Sequence, residues 1–185
     1  IFIYPPALFC FMPEFDLPRI SLRYSGVFDF DGFYNAVTDW AKTYGYMWHE
    51  FSFKHKVPSA EGAEQELAWE MTKKITEFIH YRILFTIHMW EVKDVAVEGR
   101  KKPLLKARLY IWIEGKITYD WQKRFGGSKF ATLLGKWLMK LPHMNPIETV
   151  YFDQLYYRIW NLHAVIKKYF DIQGKHAYKE YLKER

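Results

Sequence analysis

The sequence predicts an α+β fold in which amphipathic helices pack on one face of a long-stranded antiparallel sheet. Apolar and polar residues alternate with the two-residue period of a half-buried strand across most of 20–121. Neither glycine nor proline interrupts 64–98, so the strands there are long. Helical spacing appears after the first strand and again near the end of the chain, which gathers helices beside a sheet rather than between parallel strands.

Ile20, Leu22, Tyr24 and Phe28 alternate with Ser21, Arg23 and Ser25 as a first strand. Asp29 and Asp31 offer N-caps, because a short carboxylate accepts the unpaired amides of a first helical turn. Phe33, Val37, Trp40, Ala41 and Tyr44 follow at helical spacing, and Gly45 supplies a stop. A strand over 46–57 comes next, with Met47, Phe51, Phe53 and Val57 expected on one face, and Pro58 to Gly62 reads as a loop. Leu67, Trp69, Met71 and Ile75 share a face, as do Ile79, Tyr81, Ile83, Phe85, Ile87 and Met89. At about 3.3 Å per residue this is too long for one strand, which places a bend or hairpin near Thr76-Glu77-Phe78.

Gly99 to Pro103 makes a basic turn, after which Leu105, Ala107, Leu109, Ile111 and Ile113 alternate with Lys106, Arg108 and Glu114. Gly115 is read as a bulge or bend before Ile117, Tyr119 and Trp121 continue the pattern. Two C-terminal helices follow. Ser128 caps a short one with Phe130, Leu133, Leu134, Trp137 and Leu138 inward, ended by Pro142. Asn145-Pro146-Ile147-Glu148 opens a long one with a cap, a first-turn proline and a glutamate at the capping-box position. Phe152, Leu155, Ile159, Leu162, Ile166 and Tyr169 form its apolar stripe, and Tyr151, Tyr156, Tyr157 and Trp160 widen it beyond what one sheet covers.

Composition narrows the function classes. Of 185 residues half are hydrophobic and a fifth aromatic, which excludes a disordered chain. The single cysteine, Cys10, forms no internal disulfide and no structural zinc site, so a reducing, cytoplasmic compartment is expected. A net charge of +6 permits contact with nucleic acid or anionic lipid without demanding it. Residues 1–18 read as an N-terminal tail, 19–170 as a single α+β domain and 171–185 as a charged C-terminal tail. Met12 reads as a natural beginning, with the apolar 1–11 as upstream translation or a fragment's tail. No apolar run reaches the ~20 residues a transmembrane helix needs.

Taken together, Tyr24-Ser25-Gly26-Val27-Phe28-Asp29-Phe30-Asp31-Gly32, Lys123-Arg124-Phe125-Gly126-Gly127-Ser128-Lys129-Phe130 and Leu155-Tyr156-Tyr157-Arg158 resemble a group of small uncharacterised archaeal proteins. That resemblance implies no activity and carries over no catalytic residue. In element order alone the chain is similar to the helix-grip fold of START and Bet v 1-type lipid-binding proteins. It departs from that pattern in having two C-terminal helices for one, and one helix after the first strand for a pair.

Tests of site chemistry are mostly negative. His80 and His88 share a strand face ~26 Å apart, and His49 and His55 stand ~20 Å apart, both beyond one metal ion's reach. Glu66 and Glu70 lie ~13 Å apart, wider than the ~5–9.5 Å of a glycosidase carboxylate pair. No nucleophile elbow, metal set or cofactor motif is present, so no catalytic residue is assigned and no cofactor is expected.

Binding is a different matter. Lys123, Arg124, Gly126, Gly127, Ser128 and Lys129 place a glycine pair and three cations at a helix start, which suits an anion. Arg100, Lys101, Lys102, Lys106 and Arg108 make a basic hairpin end able to track a phosphate backbone, although such cations also guard sheet edges. Trp69, Phe85, Ile111, Phe152, Leu155 and Ile159 would line a groove for an apolar, lipid-like small molecule between sheet and long helix. The aromatic excess leads to the preferred reading, a non-enzymatic protein-interaction or assembly protein with a protein partner or a second copy of itself. The apolar-ligand binder and an RNA- or anion-associated basic protein stand as alternatives.

Overall fold

The computed structural model describes residues 14–59, 62–96, 102–119, 121–122 and 145–183. In chain order these form β1 (Glu14–Asp16), β2 (Ile20–Phe28), α1 (Phe30–Thr43), β3 (Met47–Ser59), β4 (Gly62–Lys74), β5 (Ile79–Val95), β6 (Leu104–Tyr119) and α2 (Asn145–Lys183). All six strands join one antiparallel sheet in the order β1-β6-β5-β4-β3, with β2 also paired to β6. β2 runs along 105–113 of β6 and β1 along 116–118, and a hydrogen bond from Leu17 N to Gly115 O (2.8 Å) bridges the gap. Strand pairing therefore reaches into the segment 1–18, and α2 continues through most of 171–185.

The fold class expected from the alternation is the one observed, with a different helix placement. Because β1 occupies the far end of β6, the first helix follows the second strand, not the first. One C-terminal helix, α2, is described, and the short helix expected over 128–142 lies outside the described residues. Asp29 caps α1 by accepting from Gly32 N (3.1 Å), while Asp31 sits in the first turn. Gly45 follows the helix with φ +70°, the left-handed conformation that ends helices most cheaply at glycine.

The hairpin near Thr76 is where the period predicted it. Thr76 Oγ1 accepts from the amides of Phe78 (3.2 Å) and Ile79 (3.0 Å), closing the turn between β4 and β5. Gly115 is not a bulge. β6 pairs with β5 without interruption from Arg108 to Tyr119, and a Cβ at Gly115 would run into the Ile159 Cδ1 of α2. The missing side chain lets the helix approach the sheet. Trp121 has left the strand and donates from Nε1 to Thr76 O (3.2 Å).

One face of the sheet carries both helices. The odd residues Ile79–Met89 of β5 and Ala107–Ile113, Ile117 and Tyr119 of β6 are all buried on it. α1 covers the β4 side, with Phe33 6.0 Å from Trp69 and 6.3 Å from Phe85 between ring centres. α2 covers the β6 side with Leu155, Ile159, Leu162, Ile166 and Phe170 inward. Phe170, rather than the expected Tyr169, completes the buried stripe, stacking on Phe33 at 5.3 Å and Tyr24 at 4.4 Å. Tyr169 instead donates its hydroxyl to Asp29 O (2.7 Å), and Trp40 Nε1 donates to Asn161 Oδ1 (2.8 Å), tying the helices together.

Two expectations follow. Gly115→Val overpacks the α2–β6 contact and costs about 1–3 kcal/mol in urea unfolding, with Ile159→Ala recovering part of the loss in a double-mutant cycle. Burial also pushes the Tyr46 phenol up to about 12, against an opposing pull from Arg158. A phenol whose folded pKa exceeds its unfolded value near ~10 contributes stability that is complete below that pH. That contribution drains away as pH rises from ~10 through about 12, and Tyr46→Phe removes this part of the alkaline loss.

Candidate functional site

The second face of the sheet is polar, aromatic and charged, and its side chains come from the residues between the buried ones. Cross-strand partners share a face, so the registers set out its rows. One row runs Arg23, Tyr110, His88, Glu66, Lys54. The next runs Ser21, Trp112, Thr86, Ala68, Ser52, where the short Ala68 and Thr86 are buried between longer neighbours.

Much of this face is internally neutralised. Lys54 pairs with Glu66 (3.3 Å), Lys56 with Glu64 (2.8 Å) and Arg82 with Glu70. His88 Nε2 meets Glu64 Oε1 at 2.6 Å and its ring stacks on Trp90 at 3.9 Å. The Lys56 hydrogen bond, then His88, lowers the Glu64 carboxyl below its ordinary range. Burial lowers the His80 imidazole, with Lys74 adding to it. A depression of about 410 Å³ beside Arg19, Arg82, Leu84, Glu114 and Lys116 has its cations matched as well, Arg19 to Glu114 and Lys116 to Glu14 at 2.8 Å.

The end near the β5–β6 hairpin is different. A depression of about 660 Å³ is lined by Arg23, Tyr24, Ser25, Trp90, Arg108, Leu109 and Tyr110. The Arg23 guanidinium lies 5.2 Å from the Tyr110 ring and that of Arg108 6.0 Å from Trp90. Next to them Lys93 and Lys106 stand directly opposite each other. A one-residue bulge creates that pairing. β5 spends three residues, Trp90 to Lys93, where β6 spends two, Arg108 to Lys106. Without the extra residue Lys93 would point to the helix side. Glu91 takes φ +58° to make the bulge, and Gly62 fits against its backbone, where a Cβ would come within 2.8 Å.

A second unusual surface is the outer edge strand. The sequence expectation put Met47, Phe51, Phe53 and Val57 on one face; the register corrects it. Met47 pairs with Thr72 on the polar face, Phe51 is an extra residue between Glu50 and Ser52, and Phe53 pairs with Leu67 on the helix side. Tyr46 and Trp48 are the residues that turn inward here. Met47, Phe51 and Phe53 remain 70, 57 and 63% exposed. On α2 the surplus apolar circumference is also visible, with Val150, Tyr157 and Trp160 exposed.

The residues singled out from sequence meet different fates. Trp69 and Phe85 stack at 5.5 Å beneath Phe33 of α1, whereas Leu155 and Ile159 lie over Gly115, so the six groove residues divide between two helices. Five of them, Trp69, Phe85, Ile111, Leu155 and Ile159, are fully buried and Phe152 is half-buried. Lys102 bonds Asp31 of α1, Arg108 bonds Glu91 (2.8 Å) and Lys106 faces Lys93. Arg100, Lys101 and the whole Lys123, Arg124, Gly126, Gly127, Ser128, Lys129 cluster lie outside the described residues. Sequence reasoning missed Arg23, Trp90, Lys93 and Tyr110. The alternation of Arg108, Tyr110 and Trp112 was a signal for one shared face, but their neighbours on β2 and β5 needed the register.

Among the described residues no three His, Cys, Asp or Glu side chains converge to hold a metal, and no helix is long and apolar enough to cross a membrane. No protein-family model and no curated protein sequence matches this chain.

Like charges directly opposite on a sheet repel. Lys106→Glu therefore raises stability by about 0.2–1 kcal/mol, read as a higher urea midpoint. An unchanged or lower midpoint would mean that solvent already screens the Lys93–Lys106 pair.

Proposed function

We propose that the protein is a non-enzymatic assembly protein whose β3 edge pairs with an extended strand of a second copy of the chain. The observation that carries this is the outer edge of β3, a thirteen-residue strand on which Met47, Phe51 and Phe53 stay exposed. A sheet edge offers unpaired N–H and C=O groups, and exposed apolar side chains beside it add area to bury. Edge lysines ordinarily discourage such pairing. Here Lys54 and Lys56 are drawn back onto Glu66 and Glu64 of β4, away from the open edge.

The same reading takes the fold as helix-grip-like, supported by the order of strand, helix, antiparallel meander and long C-terminal helix. In lipid-binding proteins of that shape the space between sheet and helix holds an apolar ligand. The tight burial of Trp69, Phe85, Ile111, Leu155 and Ile159 favours assembly over that role.

Light scattering over a concentration series tests the proposal. The wild-type chain is expected to be a dimer, and Phe51→Lys with Phe53→Lys to be a monomer of unchanged fold. A wild-type monomer at the highest attainable concentration, or a dimer indifferent to both substitutions, overturns it.

A further inference from the structure

We infer that the polar face of the sheet, at its β2–β6–β5 end, binds single-stranded nucleic acid. The inference is independent of the assembly reading, since β3 lies at the other edge of the sheet. Four cations line this end of the face, Arg23, Arg108, Lys106 and Lys93, and among the described residues Glu91 is paired with one of them, Arg108. Among the described residues Arg23, Lys93 and Lys106 have no carboxylate partner, and the two lysines are held opposite each other by a bulge with a left-handed glutamate. That arrangement costs folding energy twice, in like-charge repulsion and in backbone strain. An anion lying between the lysines repays the first cost.

The aromatic rings decide which anion. Trp90 and Tyr110 are partly exposed on this face beside a depression of about 660 Å³, with His88 already stacked on one side of Trp90. Arg23 lies over Tyr110, and Arg108 over Trp90, so each ring has a cation beside it. Bases stack on such rings regardless of sequence while their phosphates meet the neighbouring cations. Residues two apart on a strand recur every ~6.8 Å, so Lys106, Arg108 and Tyr110 of β6 present charge, charge and ring in a line. An extended single strand supplies phosphates and bases along such a line. A rigid duplex hides its bases from it.

The test is fluorescence anisotropy with a labelled uridine oligonucleotide, with circular dichroism confirming that each variant is folded. Four phosphate contacts predict an affinity that falls roughly fifty-fold between about 50 and 200 mM salt. Tyr110→Ala is expected to weaken binding by about five- to a hundred-fold at fixed salt. Lys106→Ala and Arg23→Ala should each flatten the salt dependence by about 0.7 in log–log slope. Lys42→Ala on α1, far from this face, should change nothing. Absence of binding at the lower salt overturns the inference. So does inorganic polyphosphate competing as well as the oligonucleotide while the folded Tyr110→Ala variant binds normally, because charge alone would then explain the contact. Should Tyr110→Ala fail to fold, the exposed Arg23→Ala variant decides: an unaltered salt slope counts against the site.

Discussion

The β5–β6 ladder is the interaction on which the rest of the structure depends. Its two strands, seventeen and sixteen residues long, are matched at fifteen positions, and the odd residues from Ile79 to Met89 are all buried on one side. The pleat sends successive residues to opposite faces, so a slip of one residue would bury His88 and Arg82 and expose Ile87 and Ile83. With the register held, the apolar face has a single way to leave water. α1 and α2 lie on it side by side, and Phe33, Phe170, Leu155 and Ile159 fill the space above Trp69, Phe85 and Gly115. Among the described residues both helices go to one face, and none of them covers the other face or the outer edge of β3.

Two of the sheet's single-residue register shifts break the alternation where it has consequences. The extra Phe51 in β3 shifts the phase so that Met47 and Phe53, six residues apart, point to opposite faces. The extra residue at Glu91 in β5 works the other way, bringing Lys93 to the face of Trp90 and opposite Lys106. Each bulge sits beside one of the two surfaces argued to bind. This is the ordinary use of a bulge, which re-aims side chains that a regular ladder would send elsewhere. The electrostatic contrast within the polar face has the same origin. On β3 and β5, Lys54, Lys56 and Arg82 each find a glutamate on β4. Past the bulge lysine meets lysine.

The long helix α2 shows what amphipathic counting can and cannot resolve. Its sequence carries more apolar circumference than a sheet can cover, and Val150, Tyr157 and Trp160 are exposed in the fold. Part of the surplus is absorbed by α1, through Trp40, Phe33 and the Arg158 guanidinium 4.2 Å from the Tyr44 ring. Tyr169 shows the limit of the count. At helical spacing it belongs to the buried stripe, yet its hydroxyl reaches the carbonyl of Asp29 beside the close-fitting Gly32, and Phe170 goes inward.

By itself the sequence determined the class of fold, the hairpin near Thr76, a carboxylate cap for α1 at Asp29 or Asp31, and the buried faces of β2, β4, β5 and β6. These depend on local chemistry, namely the two-residue pleat, side-chain oxygens near helix starts, and glycine's access to positive φ. Tertiary structure alone decided which strand lies beside which, so it alone joined Arg23 to Tyr110 across the β2–β6 pair and Lys93 to Lys106 across β5 and β6. It also gave Gly115 its purpose, since a missing side chain reads in sequence as a break and in space as room for Ile159. The physical reason is the same in each case. Periodicity reports the face a residue occupies, while neighbours on that face are set by register, and a single unpaired residue in one strand changes register without leaving a mark in composition.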